Sequence, residues 1–253
     1  MMNKWASSGL YVFVVFVVWL VASSLINQPL LLPSPVLVLR ALGTLFTTFD
    51  SIQAILASLL RLILSGLLSF ITGVLLGIGA YTNPLFKRFI NPIITLFRTI
   101  PVVSIIVILL ILLGMRFAPL MITFLMLVPL SYQAVLEGLS NIDSELKDVY
   151  LLEDNHLPKM IWYCYFPLIA GYLKTAILQS GGLGIKVLVM AEYLAQTPIS
   201  IGARLYMERV FLRYDYVFAW TILLVILALL FEYAIHRSKQ WLPSLAEAKS
   251  LKR

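Results

Sequence analysis

The chain has 253 residues, of which 61% are hydrophobic and only 12% charged, with a formal net charge of +7. A soluble domain carries about 25% charged residues, so this composition excludes an ordinary globular enzyme or nucleic-acid-binding domain and fits a chain that crosses a membrane several times. The single cysteine, Cys164, excludes an intramolecular disulfide framework.

A helix that crosses a bilayer needs roughly 17–25 mostly apolar residues. Six runs meet that need, at about 9–26, 58–81, 92–114, 117–138, 160–192 and 216–236, within one transmembrane domain over 1–253. The first run follows Lys4. Its length and the five runs behind it predict an uncleaved signal-anchor rather than a removed signal peptide. Next comes Leu31-Leu-Pro-Ser-Pro35, where Ser34 suits a helix N-cap and Pro35 the first helical position. Apolar residues then recur at 36, 39, 42, 45, 46 and 49. That period predicts a short amphipathic helix on the outer membrane face.

On the second run, Ser65, Ser69, Gly73 and Gly77 recur every four residues, a register that lets helix backbones approach closely. Pro92 and Pro101 are expected to bend the third run and to free carbonyls that must be buried in protein or line a cavity. Gln179-Ser-Gly-Gly-Leu-Gly184 is expected to interrupt or loosen the fifth. Between the fifth and sixth runs, 195–215 reads as an external loop with a short helix near 203–212.

Charges inside spans are costly and mark candidates. Arg98 and Glu192 are the strongest, each either facing the bundle interior or reaching an interface. Lys186 reads as reaching the outer interface, and Arg61 is expected to extend to the outer headgroups. With six spans both termini share one side. That side holds ten Lys and Arg residues against five on the other, Arg40, Arg116, Arg204, Arg209 and Arg213. The bias predicts cytoplasmic termini. It also puts 143–165, a segment with Asp148, Glu153, Asp154, Asn155 and His156, in a cytoplasmic loop. By composition alone that segment reads as a solvated amphipathic loop. No phosphate-cradling loop, dinucleotide fingerprint, metal-ligand cluster or nucleophile constellation is visible, so no catalytic residue and no metal site are assigned.

Four further stretches carry a resemblance in order along the chain: Leu31-Leu-Pro-Ser-Pro35, Ser58-Leu-Leu-Arg61, Asn91-Pro92 with Arg98-Thr-Ile-Pro101, and Ala191-Glu192. Together they resemble the permease subunit of bacterial binding-protein-dependent ABC importers, in the branch that includes sulfonate, taurine and nitrate permeases. The resemblance implies an all-α polytopic fold of the type I importer kind, with six transmembrane helices, an external amphipathic helix and a cytoplasmic coupling-helix loop. It implies two cytoplasmic ABC ATPase subunits that bind ATP and Mg, a second permease copy (a homodimer expected), an extracellular or periplasmic substrate-binding protein, and residence in the bacterial cytoplasmic membrane. No cofactor is implied on this chain.

The family's loop carries E-A-A, then G, then I-x-L-P. Aligned on Phe166-Pro167, Asp148-Val149-Tyr150 stands at E-A-A, Asp154 at the glycine and Cys164 at the isoleucine. Only the proline is kept, and Asp154-Asn155 would make the turn instead. By this resemblance Asp148, Tyr150, Leu151, Glu153, Asp154, Asn155, His156, Leu157 and Pro158 are the ATPase-coupling residues. Arg98, Pro101, Ser104, Gln179, Ser180 and Glu192 are the translocation-pathway candidates. The sequence leaves open an uncoupled permease-like scaffold or sensor component and an intramembrane enzyme. It also leaves open the solute: a sulfonate, taurine, nitrate, bicarbonate, a pyrimidine precursor of thiamine or a metal chelate.

Overall fold

The computed structural model describes residues 4–142 and 166–237. Among them the chain is helical, with no strand: α1 (Lys4–Ile26), α2 (Pro35–Leu45), α3 (Phe49–Thr82), α4 (Pro84–Thr99), α5 (Val102–Ser140), α6 (Phe166–Ala195), α7 (Ile201–Val210) and α8 (Tyr214–Arg237). Four of these, α3, α5, α6 and α8, are long and apolar enough to cross a membrane by length and composition, and α1 adds a shorter apolar stretch over Phe13–Ile26.

Local chemistry sets the helix ends. Ser34 caps α2 by accepting from the Leu37 N–H, with Pro35 behind it. Asn83 caps α4 through two N–H groups, those of Leu85 and Phe86. Ser200 caps α7 by accepting from the Ala203 N–H. Each cap satisfies donors that a first turn leaves unpaired.

The third apolar run is not one helix. α4 continues through Pro92, but the chain breaks at Ile100 and Pro101, both with extended backbone (ψ 134° and 123°). Pro101 lacks an N–H and pushes the residue before it out of the helical region, which is why the break falls there. α5 then begins, and it turns sharply at Gly114 (φ 73°, ψ 175°), a conformation open to glycine. The span predicted at 92–114 is therefore the second half of α4 plus the limb 102–113, and 115–140 is the next limb.

The core is the packing of α5 on α3 and on α6. The α3 face that meets α5 is built from small residues. Ser65, Ser69, Gly73 and Gly77 are buried, in line with Ser51, Ala54, Ser58 and Ala80. A Cβ on Gly73 would meet the Val128 carbonyl oxygen at 2.8 Å, and one on Gly77 the Tyr132 oxygen at 3.0 Å. Glycine is needed at both for that approach. The expected interruption at 179–184 is absent: α6 runs unbroken through it. Its glycines serve packing instead, since a Cβ on Gly181 would lie 1.9 Å from the Phe231 ring of α8, and one on Gly184 2.8 Å from Leu62. Glycine lowers helix propensity by only about 1 kcal/mol, which close packing on two sides offsets.

α2 and α7 cover the end of the bundle where α3 begins and α6 finishes. Val38, Ala41 and Leu45 of α2 and Ile201 of α7 join Ala54, Val189, Ala219, Trp220 and Leu223 in one buried cluster. α1 attaches to this end through Trp19, whose indole N–H donates to the Pro33 carbonyl and whose ring stacks on Phe218.

Candidate functional site

Among the described residues, the polar site with the most buried partners centres on Glu192, near the end of α6. Its side chain is fully buried. The Ser58 hydroxyl of α3 lies 2.9 and 2.8 Å from its two oxygens. Arg61, one turn further along α3, donates from Nη1 to Oε1 at 2.9 Å. The backbone N–H of Gly202, at the start of α7, donates to Oε2 at 3.3 Å. Ser58 also accepts from the Ile201 N–H at 3.0 Å. Burying a carboxylate costs several kcal/mol unless it is paired and hydrogen-bonded, and here three donors from two elements, Ser58 and Arg61 of α3 and Gly202 of α7, meet that requirement.

Arg61 does more than pair. Its two terminal nitrogens also donate to the carbonyls of Ile199 and Pro198, each at 3.2 Å. The guanidinium fork thus ties α3 to the α6–α7 loop, a geometry that a lysine cannot reproduce. The expectation that Arg61 reaches the outer headgroups is corrected: only 17% of its side chain is exposed. A buried carboxylate and two unpaired carbonyls are stronger partners than water or headgroups.

The signal for this pairing lay in Ser58-Leu-Leu-Arg61. The spacing of three puts hydroxyl and guanidinium on one helix face. What the sequence did not reveal was that Glu192, 131 residues away from Arg61, would be opposite them. Glu192, a pathway candidate by sequence, faces this contact between α3 and α7.

The other pathway candidates stand apart from Glu192. Arg98 occupies the last turn of α4, exposed, with no hydrogen bond or ion pair among the described residues. Pro101 forms the break and Ser104 lies in the first turn of α5; both are exposed. The break thus brings Arg98, Pro101 and Ser104 together on one uncovered stretch. Gln179 is exposed on α6 and Ser180 half-buried. Midway along α4, Asn91 accepts from the Tyr132 hydroxyl of α5, a polar link between the two helices. Lys174 on α6 has a buried Nζ with no hydrogen-bond partner among the described residues, a feature the sequence placed in a span without assigning it a role. The coupling candidates Asp148, Tyr150, Leu151, Glu153, Asp154, Asn155, His156, Leu157 and Pro158, and Cys164, lie outside the described residues.

Comparison with known proteins agrees with this architecture. Residues 69–241 match the family described as binding-protein-dependent transport system inner membrane component. The chain is 25% identical over 236 residues to the taurine transport system permease protein TauC of Escherichia coli (strain K12), covering 90% of this chain and 85% of that one. Among solved structures, a chain of the MetNI methionine ABC transporter in inward-facing conformations superposes with a TM-score of 0.65, at 17% identity, over 76% of this chain and 96% of that one. At that identity the likeness concerns the fold.

Proposed function

The chain belongs to the inner membrane components of binding-protein-dependent transport systems and is a membrane permease subunit of an ABC importer, and from that premise we propose that it forms half of the passage for a small sulfonate such as taurine. The observation that carries the solute class is the likeness to the taurine permease over nine-tenths of the chain.

The passage is assigned to the third to fifth spans of two copies around a two-fold axis, since this chain alone supplies one set of spans and closed symmetric pairs are the commonest assembly. Arg98, Pro101 and Ser104 line it at the break. Irregular backbone within the membrane is tolerated where it is buried in protein or borders a water-filled path, and the exposed stretch at the break fits the second case. Two copies of Arg98 would set a positive field beside that path, suited to a sulfonate. Gln179 and Ser180 on the fifth span add polar groups.

Hydrolysis of ATP with Mg falls to two cytoplasmic ATPase subunits, which the segment 143–165 would contact. An external binding protein would deliver the solute, and both termini would be cytoplasmic.

Liposomes carrying the permease, its ATPase and its binding protein test the reading. ATP-dependent accumulation of labelled taurine or another sulfonate is the expected result. The absence of both uptake and hydrolysis that responds to the binding protein would replace it with the uncoupled scaffold or sensor component, the alternative that the divergent coupling sequence around Asp154 keeps open.

A further inference from the structure

The loop between α6 and α7 holds a backbone conformation that its own residues disfavour. Just past the end of α6, Gln196 stands at φ +48°, and the Thr197 N–H returns to the Glu192 carbonyl at 3.1 Å. That is a left-handed helix stop of the kind usually given to glycine. Three residues later Ile199 stands at φ +51°. For a β-branched side chain this is a true outlier, and such outliers persist only where the surroundings over-determine them.

The surroundings that do so are specific. Ile199 is 57% exposed, so its side chain is not what holds it. Its carbonyl and that of Pro198 are held by Arg61. Arg61 is in turn held by Glu192, which also takes the Gly202 N–H, while Ser58 takes that of Ile201. At Gly202 the chain passes so close to α6 that a Cβ would lie 2.3 Å from the Tyr193 nitrogen. Thr197 adds a bond from its hydroxyl to the Met115 carbonyl, at the turn between the two limbs of α5.

We propose that Glu192 is a positioning residue that, through Arg61 and Ser58, latches 197–202 in a loaded conformation, so that α7 is carried as one body with the adjoining ends of α3 and α6. In a permease this makes the loop a fixed part of the moving spans rather than a free connector, and opening the latch is what would let α7 shift independently. The flux part of this idea rests on the transport reading; the loop mechanics do not.

The test is amide hydrogen exchange on the full-length chain in lipid nanodiscs. Glu192→Gln keeps the shape and an acceptor oxygen but removes the charge. It should speed exchange at 197–205 about tenfold, the size expected for one lost charge-assisted hydrogen bond, and leave the interiors of α3 and α6 unchanged. Ile199→Gly accepts the positive φ without steric strain and removes a side chain that is more than half exposed. Added to Glu192→Gln, it should slow exchange of the loop back toward the original rate. In the assembled transporter, uptake should fall with Glu192→Gln and recover in the double variant.

Unchanged loop exchange in Glu192→Gln overturns the latch. So does a rise spread equally through α3 and α6, which would make the carboxylate a general packing element. A further rise on adding Ile199→Gly shows that the loop is not loaded and overturns the proposal as well. An inactive wild-type transporter would refute the transport reading and leave the exchange result to stand by itself.

Discussion

Gly73 of α3 faces Ser131 of α5 so closely that a Cβ on the glycine would lie 2.6 Å from the serine's own Cβ, with the Val128 carbonyl at 2.8 Å. Both are near-backbone atoms that cannot swing aside. On the same helix, Gly66 has nothing within 4 Å of the corresponding point. Gly73→Ala is expected to lower stability by about 1–3 kcal/mol through overpacking. Gly66→Ala should leave it unchanged or raise it by up to about 1 kcal/mol through helix propensity. Thermal unfolding in detergent or nanodiscs separates them. Equal shifts would mean that α3 does not meet α5 along this stripe.

Arg98 has no partner among the described residues, so its removal should cost the fold little. Arg98→Ala is expected to change stability by about 0.5 kcal/mol or less, as other exposed substitutions do, and to lower uptake by raising KM, reducing kcat, or both. Arg98→Lys keeps the charge and should retain part of the flux. Normal flux in Arg98→Ala would leave the arginine a headgroup contact. Poor assembly of both variants would make it a clamp to a neighbouring chain.

Lys174 buries an amine without a hydrogen-bond partner among the described residues. An unpaired buried polar group costs free energy, and an apolar residue of similar length removes that cost. Lys174→Met should therefore hold or raise thermal stability, by about 1 kcal/mol. A loss of that size would show that the amine has a partner outside the described residues, in this chain or in another chain of the assembly.

Glu153 and Asp154 carry the coupling assignment in its most testable form. Reversing both charges should weaken co-purification of the ATPase, because charge complementarity sets both encounter and register at such contacts. If the double variant keeps its ATPase and transports at the normal rate, the docking surface lies elsewhere on the chain.

Composition and periodicity were enough to place this chain in a membrane and to anticipate α2 and its Ser34 cap, α7, and a bend at Pro101, where the helix breaks outright; the bend expected at Pro92 is corrected, since α4 runs on through it. Each depends on residues within one or two turns of each other, which is the range over which hydrophobic period, capping and proline sterics act. The stripe Ser65, Ser69, Gly73, Gly77 was legible as a packing face for the same reason, but its partner was not. Only the tertiary arrangement decided that α5 fills it.

The misreadings share one cause. The glycines at 181–184 were read by their local cost in a helix, and Arg61 by its nearest solvent. In both cases a distant neighbour, Phe231 for Gly181 and Glu192 for Arg61, outweighed the local preference. Burial raises the worth of a paired charge and the need for a small residue, and neither effect exists until segments far apart in the chain meet, 131 residues apart for Arg61 and Glu192.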